Sequence, residues 1–262
     1  MNNKKIGIFD SGIGGLTVVK SIKETLSNES IVYFGDTLNM PYGDKSNEEI
    51  IKLVKNDVAF LSAFDLKAIV IACNTADSIA SKSIKEDINV PIFGVVEPAS
   101  KKACSLTKNS IVGVIATKAT VSSNAYVNAI QQINPDITVL QVACPELVPL
   151  VEQGKFKESD IETIDILKEY LTPLMYGNID TLILGCTHYP LLKDLINMLM
   201  PNVNIISSSD CAAEYVKNEL EKLNLLSNEK SIDNYYVSSE INRFISVSKL
   251  FMDISEENVH LK

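Results

Sequence analysis

One pattern occurs twice and limits what this chain can fold into. Thr181-Leu-Ile-Leu-Gly185 breaks off at Cys186-Thr187-His188, and Ala68-Ile-Val-Ile-Ala72 breaks off at Cys73-Asn74-Thr75. A run that is apolar at every position suits a strand buried on both faces, and such strands present chemistry at their carboxyl ends. The two cysteines lie 113 residues apart. The same offset carries Asn89-Val90-Pro91-Ile92 onto Asn202-Val203-Asn204-Ile205 and Glu97 onto Asp210. Earlier in each half, Ile6-Gly7-Ile8 falls on Val112-Gly113-Val114, and Ile31-Val32 on Ile137-Thr138, at an offset of 106. Any two α/β units share apolar strands, but ordered recurrence at a long period points to duplicated domains.

The expected fold is therefore α/β, with two similar domains, each a mostly parallel sheet flanked by helices. They are related by pseudo-twofold symmetry, with the active site in the cleft between them. With 262 residues, both domains have room for a core. Residues 1–97 plus 211–262 are expected to form the first domain, the C-terminal segment returning to it, and 98–210 the second.

Along the chain, strands are expected at 5–9, Ile31–Phe34, Ala68–Ala72, Ile92–Val95, 111–115, 137–142, 181–184 and Tyr235–Val237. Asp10-Ser-Gly-Ile-Gly-Gly15 leads into a helix marked by Leu16, Val19, Ile22 and Leu26. Its glycines bring backbone N–H groups towards a ligand, but Thr17 breaks the dinucleotide fingerprint. Asp10 either caps that helix or lines the site. Gly35 to Asp44 is too long for a simple turn and reads as a binding loop, after which Ser46 and Glu49 form a capping box. Further helices are expected near 120–132, 159–175 and 189–200, with caps at Thr120 and at Ser159 with Glu162; Cys144 to Glu152 reads as a loop or short helix.

The totals exclude several classes. A net charge of −9 with scattered lysines argues against nucleic-acid binding, and no apolar run approaches a membrane span. The segment before the first strand lacks a signal peptide's apolar core, so a cytoplasmic protein is expected. Arg243, the single arginine, stands far from every motif in sequence, so an anionic substrate is expected to rest on N–H groups and hydroxyls. Five cysteines without a Cys-x-x-Cys pair suit neither a zinc ribbon nor a disulfide scaffold.

Two domains facing one another would set Cys73 and Cys186 across one cleft. Opposed groups of similar acidity suit inversion of a stereocentre, one removing a proton from carbon while the other supplies one to the opposite face. A thiol, ordinarily near pKa 8.5, serves when a helix N-terminus lowers it. Asn74, Thr75 and Thr187 would offer donors to substrate carboxylates at helix starts. His188, beside Cys186, and Asp10, beside Cys73, could assist proton movement; packing is the plainer alternative for the histidine.

Asp10-Ser-Gly-x-Gly-Gly-Leu-Thr17, Gly35-Asp-Thr37 with Pro41-Tyr-Gly43, Ala72-Cys-Asn-Thr75 and Gly185-Cys-Thr-His-Tyr-Pro190 together resemble the glutamate racemase family of bacteria. The resemblance runs to about residue 212. It implies cofactor-independent interconversion of L- and D-glutamate, supplying D-glutamate for peptidoglycan, with Cys73 and Cys186 as the acid/base thiols and no metal. It implies substrate contacts at Asp10, Ser11, Tyr42, Gly43, Asn74, Thr75, Thr187 and His188, with Glu152 supporting the histidine. A homodimer is the usual assembly. Asp77 departs from the serine or threonine common at that position and puts a carboxylate near the first thiol; Met40 before Pro41 departs more mildly. An aspartate racemase would share both thiols. A zinc site of Cys73, Cys186, His188 and Asp10, and a non-catalytic binding protein, are the readings from other classes.

Overall fold

The computed structural model of the chain describes residues 4–84, 88–229 and 232–262. Met1 to Asn3, part of the lead-in read as lacking a signal peptide, lie outside the described residues. The first sheet contains β1 (Lys5–Asp10), β2 (Ile31–Gly35), β3 (Leu66–Ile71) and β4 (Ile92–Phe93), joined by β9 (Asn234–Val237) and β10 (Val259–Leu261). Its order is β10-β9-β2-β1-β3-β4. The second holds β5 (Ile111–Ala116), β6 (Thr138–Ala143), β7 (Thr181–Gly185) and β8 (Asn204–Ser207), in the order β6-β5-β7-β8. Every pairing described is parallel. The C-terminal segment thus returns to the first sheet as two added strands.

The order β2-β1-β3-β4 repeats as β6-β5-β7-β8, and most of the register repeats with it. Gly7 pairs Ile69 and Ile69 pairs Ile92; Gly113 pairs Leu182 and Leu182 pairs Ile205. The second strand differs from the sequence alignment. Gly7 faces Val32 while Gly113 faces Leu140, so β6 corresponds to β2 at an offset of 108, not 106. A slip of two residues leaves each side chain on its own face, which is why the apolar pattern does not reveal it.

Helices cover both faces of the first sheet. One core packs Phe9, Val32, Phe34 and Ile71 against α2 (Asn47–Leu61) and α3 (Asn74–Ile84). The other starts from Ile6, Ile8 and Val70, takes in α1 (Leu16–Thr25), α4 (Val96–Leu106) and α10 (Ser208–Lys222), and continues into the second sheet as one apolar body. The Ser46–Glu49 capping box opens α2 as expected.

Several boundaries depart from the sequence reading. The helix expected over 120–132 is two, α5 (Lys118–Ser123) and α6 (Ala125–Ile133), divided at Asn124, whose φ of 53° is left-handed and suits asparagine. Its cap is Thr117, which accepts from Thr120 N–H; Thr120 is not the cap. Ser159 does not cap α8 (Ile161–Tyr176): Asp160 holds that position without a side-chain bond, and Glu162 pairs with Lys155 instead. Cys144 to Glu152 ends in a short helix, α7 (Leu147–Glu152), and residues 189–199 divide into a 3-10 turn at Tyr189–Leu192, with Pro190 inside it, and α9 (Lys193–Leu199).

Candidate active site

A cavity of about 620 Å³ lies at the carboxyl ends of both sheets. From the first half come Ser11, Gly12, Tyr42, Gly43, Cys73, Asn74 and Thr75; from the second come Thr117, Cys144, Glu152, Cys186, Thr187 and His188. Of the sequence-expected residues only Asp10 is absent from the lining. It is fully buried behind it, its carboxylate accepting from Gly12 N–H at 2.9 Å and from the Thr187 hydroxyl at 3.4 Å. The helix after it begins without a side-chain cap, so Asp10 shapes the loop rather than capping α1.

The two sulfurs have unlike neighbours. Cys73 follows β3 by two residues and opens α3, where its thiol lies 3.5 Å from the Ser11 hydroxyl and accepts the Ala76 N–H at 3.5 Å. The expectation that a helix start lowers this thiol fails. Burial, and next to it the negative charge of Asp10, push Cys73 up to about 12 against those hydrogen bonds. Asp77 is not the carboxylate responsible. It accepts from Val95 and Val96 N–H, both at 2.8 Å, and so caps α4.

Cys186 lies 3.9 Å from His188 Nδ1, and His188 Nε2 lies 3.1 Å from Glu152 Oε1. Burial alone would lower the imidazole, but its hydrogen bonds to Cys186 and Glu152 prevail and raise it to about 10. Burial works on Glu152 in the opposite sense, yet His188 and Arg243 hold its carboxyl below the ordinary range. Arg243, read as remote from every motif, lies at this wall: α11 (Ile241–Ser248) carries it to within 2.8 Å of Glu152 Oε2. Its guanidinium is held by Glu152 and by Glu240 at 3.1 Å.

The glycine loop acts differently from the sequence reading. Gly12 lines the cavity, but a Cβ at Gly14 would collide with the His188 ring and the Thr187 hydroxyl. Gly14 is therefore where the first half packs against the second-half histidine. Asn74 is held by Tyr126, whose hydroxyl donates to Oδ1 at 2.6 Å, while Nδ2 donates to Ser208 at 3.3 Å. Thr75, Thr117 and Thr120 join their hydroxyls across the cleft at 2.9 to 3.1 Å. Sequence reading missed Thr117 because Thr75, the partner that draws it to the cleft, comes from the opposite half. Tyr42 turns its hydroxyl away, towards Asp36 and Asp57. Among the described residues no three or more His, Cys, Asp or Glu side chains form a group able to hold a metal ion, and no helix is long and apolar enough to cross a membrane.

Duplicated parallel sheets meeting over two strand-end cysteines define a class of α/β protein. The chain belongs to the Asp/Glu/Hydantoin racemase family, whose model matches residues 6–216. It is 42% identical over 258 residues to the glutamate racemase of Sulfurihydrogenibium sp., covering 98% of this chain and 97% of that one. Among solved structures, a glutamate racemase isoform of Bacillus anthracis superposes with a TM-score of 0.94 at 34% identity, covering 100% of this chain and 97% of that one. The glutamate racemase of Francisella tularensis in complex with D-glutamate gives 0.91 at 37% identity, with the same coverage.

Proposed function

We propose that the chain interconverts L- and D-glutamate without a cofactor, with Cys73 and Cys186 on opposite sides of the substrate, one taking the Cα proton while the other delivers its own. One observation carries the reading: a cysteine from each sheet lines the same cavity, at matched positions of a duplicated fold. In one direction a thiolate takes the Cα proton, and the facing thiol gives its own proton to the other face of the resulting carbanion. The configuration is inverted and the two sulfurs exchange protonation states, so the reverse reaction begins from the state in which the forward one ends.

Glutamate brings two carboxylates, and the cavity offers donors in Ser11, Asn74, Thr75 and Thr187, with the N-terminus of α3 beside them. A volume of about 620 Å³ admits an amino acid with water to spare. Asp10 and His188 serve as proton-handling neighbours of the two thiols, with Glu152 orienting the imidazole. The product supplies peptidoglycan synthesis in the cytoplasm, and the working assembly is a homodimer.

Incubation with L-glutamate in heavy water, without added pyridoxal phosphate, tests the reading. Optical rotation is expected to decay to zero while deuterium enters Cα. Retention of the Cα proton overturns it, and faster turnover of aspartate than of glutamate would reassign the substrate.

A further inference from the structure

Behind the cavity wall formed by Pro41, Tyr42 and Gly43 lies a buried acidic group that the reaction above does not use. The Tyr42 hydroxyl is 2.7 Å from Asp36 Oδ2 and 2.8 Å from Asp57 Oδ2. All three residues are buried, at 1% exposure for Tyr42 and Asp57 and 3% for Asp36. A phenol has one proton to donate, so two such short contacts with carboxyl oxygens require a second proton.

The other contacts indicate where that proton sits. Asp36 also accepts from the Asn39 amide at 2.9 and 3.0 Å and from the Ser238 hydroxyl at 2.8 Å, a set of donors that suits an anion. Asp57, by contrast, meets the Tyr42 hydroxyl as its side-chain hydrogen-bond partner among the described residues. We propose that Asp57 is a positioning residue for racemisation: its carboxylic acid donates to the Tyr42 oxygen, Tyr42 donates to Asp36, and this chain fixes the Pro41–Gly43 wall against substrate.

Charge around the group agrees. Burial, then Asp36, raise Asp57 to about 8; Asp10 adds to the rise, while Tyr42 and Lys262 oppose it. Burial holds the Tyr42 hydroxyl far above the usual phenol range, so the tyrosine does not supply the missing proton by ionising. Above pH about 8 two carboxylates compete for one hydroxyl proton and the wall loses its anchor. The loss reaches the cleft because Gly43 packs directly on Thr117 of the second half, leaving no room for a Cβ.

The inference rests on the racemase reading, which turnover at pH 7 tests separately. The experiment compares pH profiles of kcat/KM for glutamate in the unaltered protein and in Asp57→Asn, whose amide still donates to Tyr42. The unaltered protein is expected to lose about tenfold in a single step centred near pH 8, the scale of losing one buried hydrogen bond. Asp57→Asn is expected within about fivefold of it at pH 7, the scale of one neutral hydrogen bond, and to lack that alkaline step. The same step in both proteins overturns the inference. Should Asp57→Asn fail to fold, carbon-13 NMR of the unaltered protein without substrate replaces it. The Asp57 carboxyl carbon, assigned through its backbone, is expected to titrate near pH 8, and titration below pH 6 overturns the inference.

Discussion

The two cysteines occupy equivalent places in equivalent sheets, yet their surroundings carry opposite charge. Cys73 faces Asp10, while Cys186 faces an imidazole raised to about 10 and backed by Glu152 and Arg243. At the offsets relating the halves, His188 corresponds to Thr75 and Asp10 to Ala116. The repeated fold sets where the sulfurs stand, and two side chains that differ between the halves, Asp10 and His188, make them chemically unlike. Each also reaches across the cleft. Asp10 accepts from Thr187, and Gly14 packs against His188.

The largest effect is expected from removing either sulfur. Cys73→Ser and Cys186→Ser should each lower racemisation by at least about 10³-fold, since a hydroxyl is a far weaker acid than a thiol and is not ionised near neutral pH to act as the base. Enantiomers have equal free energy in water, so kcat/KM falls equally in both directions in either variant. The two variants are instead separated by exchange without inversion. The remaining thiol can take and return the proton on its own face, so Cys73→Ser should wash deuterium into one enantiomer and Cys186→Ser into the other. Proton NMR at Cα reads this, and washout into the same enantiomer in both variants would break the opposed arrangement.

Gly14→Ala comes next, because its new methyl collides first with Thr187 and His188, on the Cys186 side. Misplacement on the scale of an ångström costs on the order of 10²-fold in turnover. The variant should keep the Cys73-side washout while losing the Cys186 side. Equal loss on both sides, by the same NMR measurement, would show that the loop supports the whole cleft and not one thiol.

Much of this architecture was legible in the chain. The apolar runs ending at Cys73 and Cys186 follow from strands buried on both faces, and the shared offset anticipated the matched strand orders. What was not legible depends on contacts between distant residues. The hydrophobic pattern is unchanged by the two-residue slip between β2 and β6, and Asn124 is ambiguous as a helix stop because another asparagine, Asn128, lies inside α6. The sign of the Cys73 shift was misread because local sequence shows the helix start but not the burial or the Asp10 charge. Arg243 was set aside for its distance along the chain, yet the C-terminal return brings it to Glu152.

The smallest effect is expected at that arginine. Arg243 is about half exposed, and an exposed pair contributes no more than about fivefold in turnover. Arg243→Gln removes one of the charges that hold the Glu152 carboxyl below its ordinary value, so that value rises. Glu152 stabilises the fold above its ordinary pKa of 4.5 and ceases to do so as pH falls through its depressed folded value. In Arg243→Gln that loss should therefore begin at higher pH, seen as an acid limb of turnover and of thermal unfolding shifted upward. His188 behaves with the opposite sign: its contribution is complete below 6.5 and disappears as pH rises through about 10. With Arg243 gone, less positive charge opposes the imidazole proton, so the alkaline limb from His188 should stay in place or move up. A downward shift would mean that Arg243 acts on Cys186 by a route other than Glu152, and the contrast between the two thiols would then rest on the guanidinium itself.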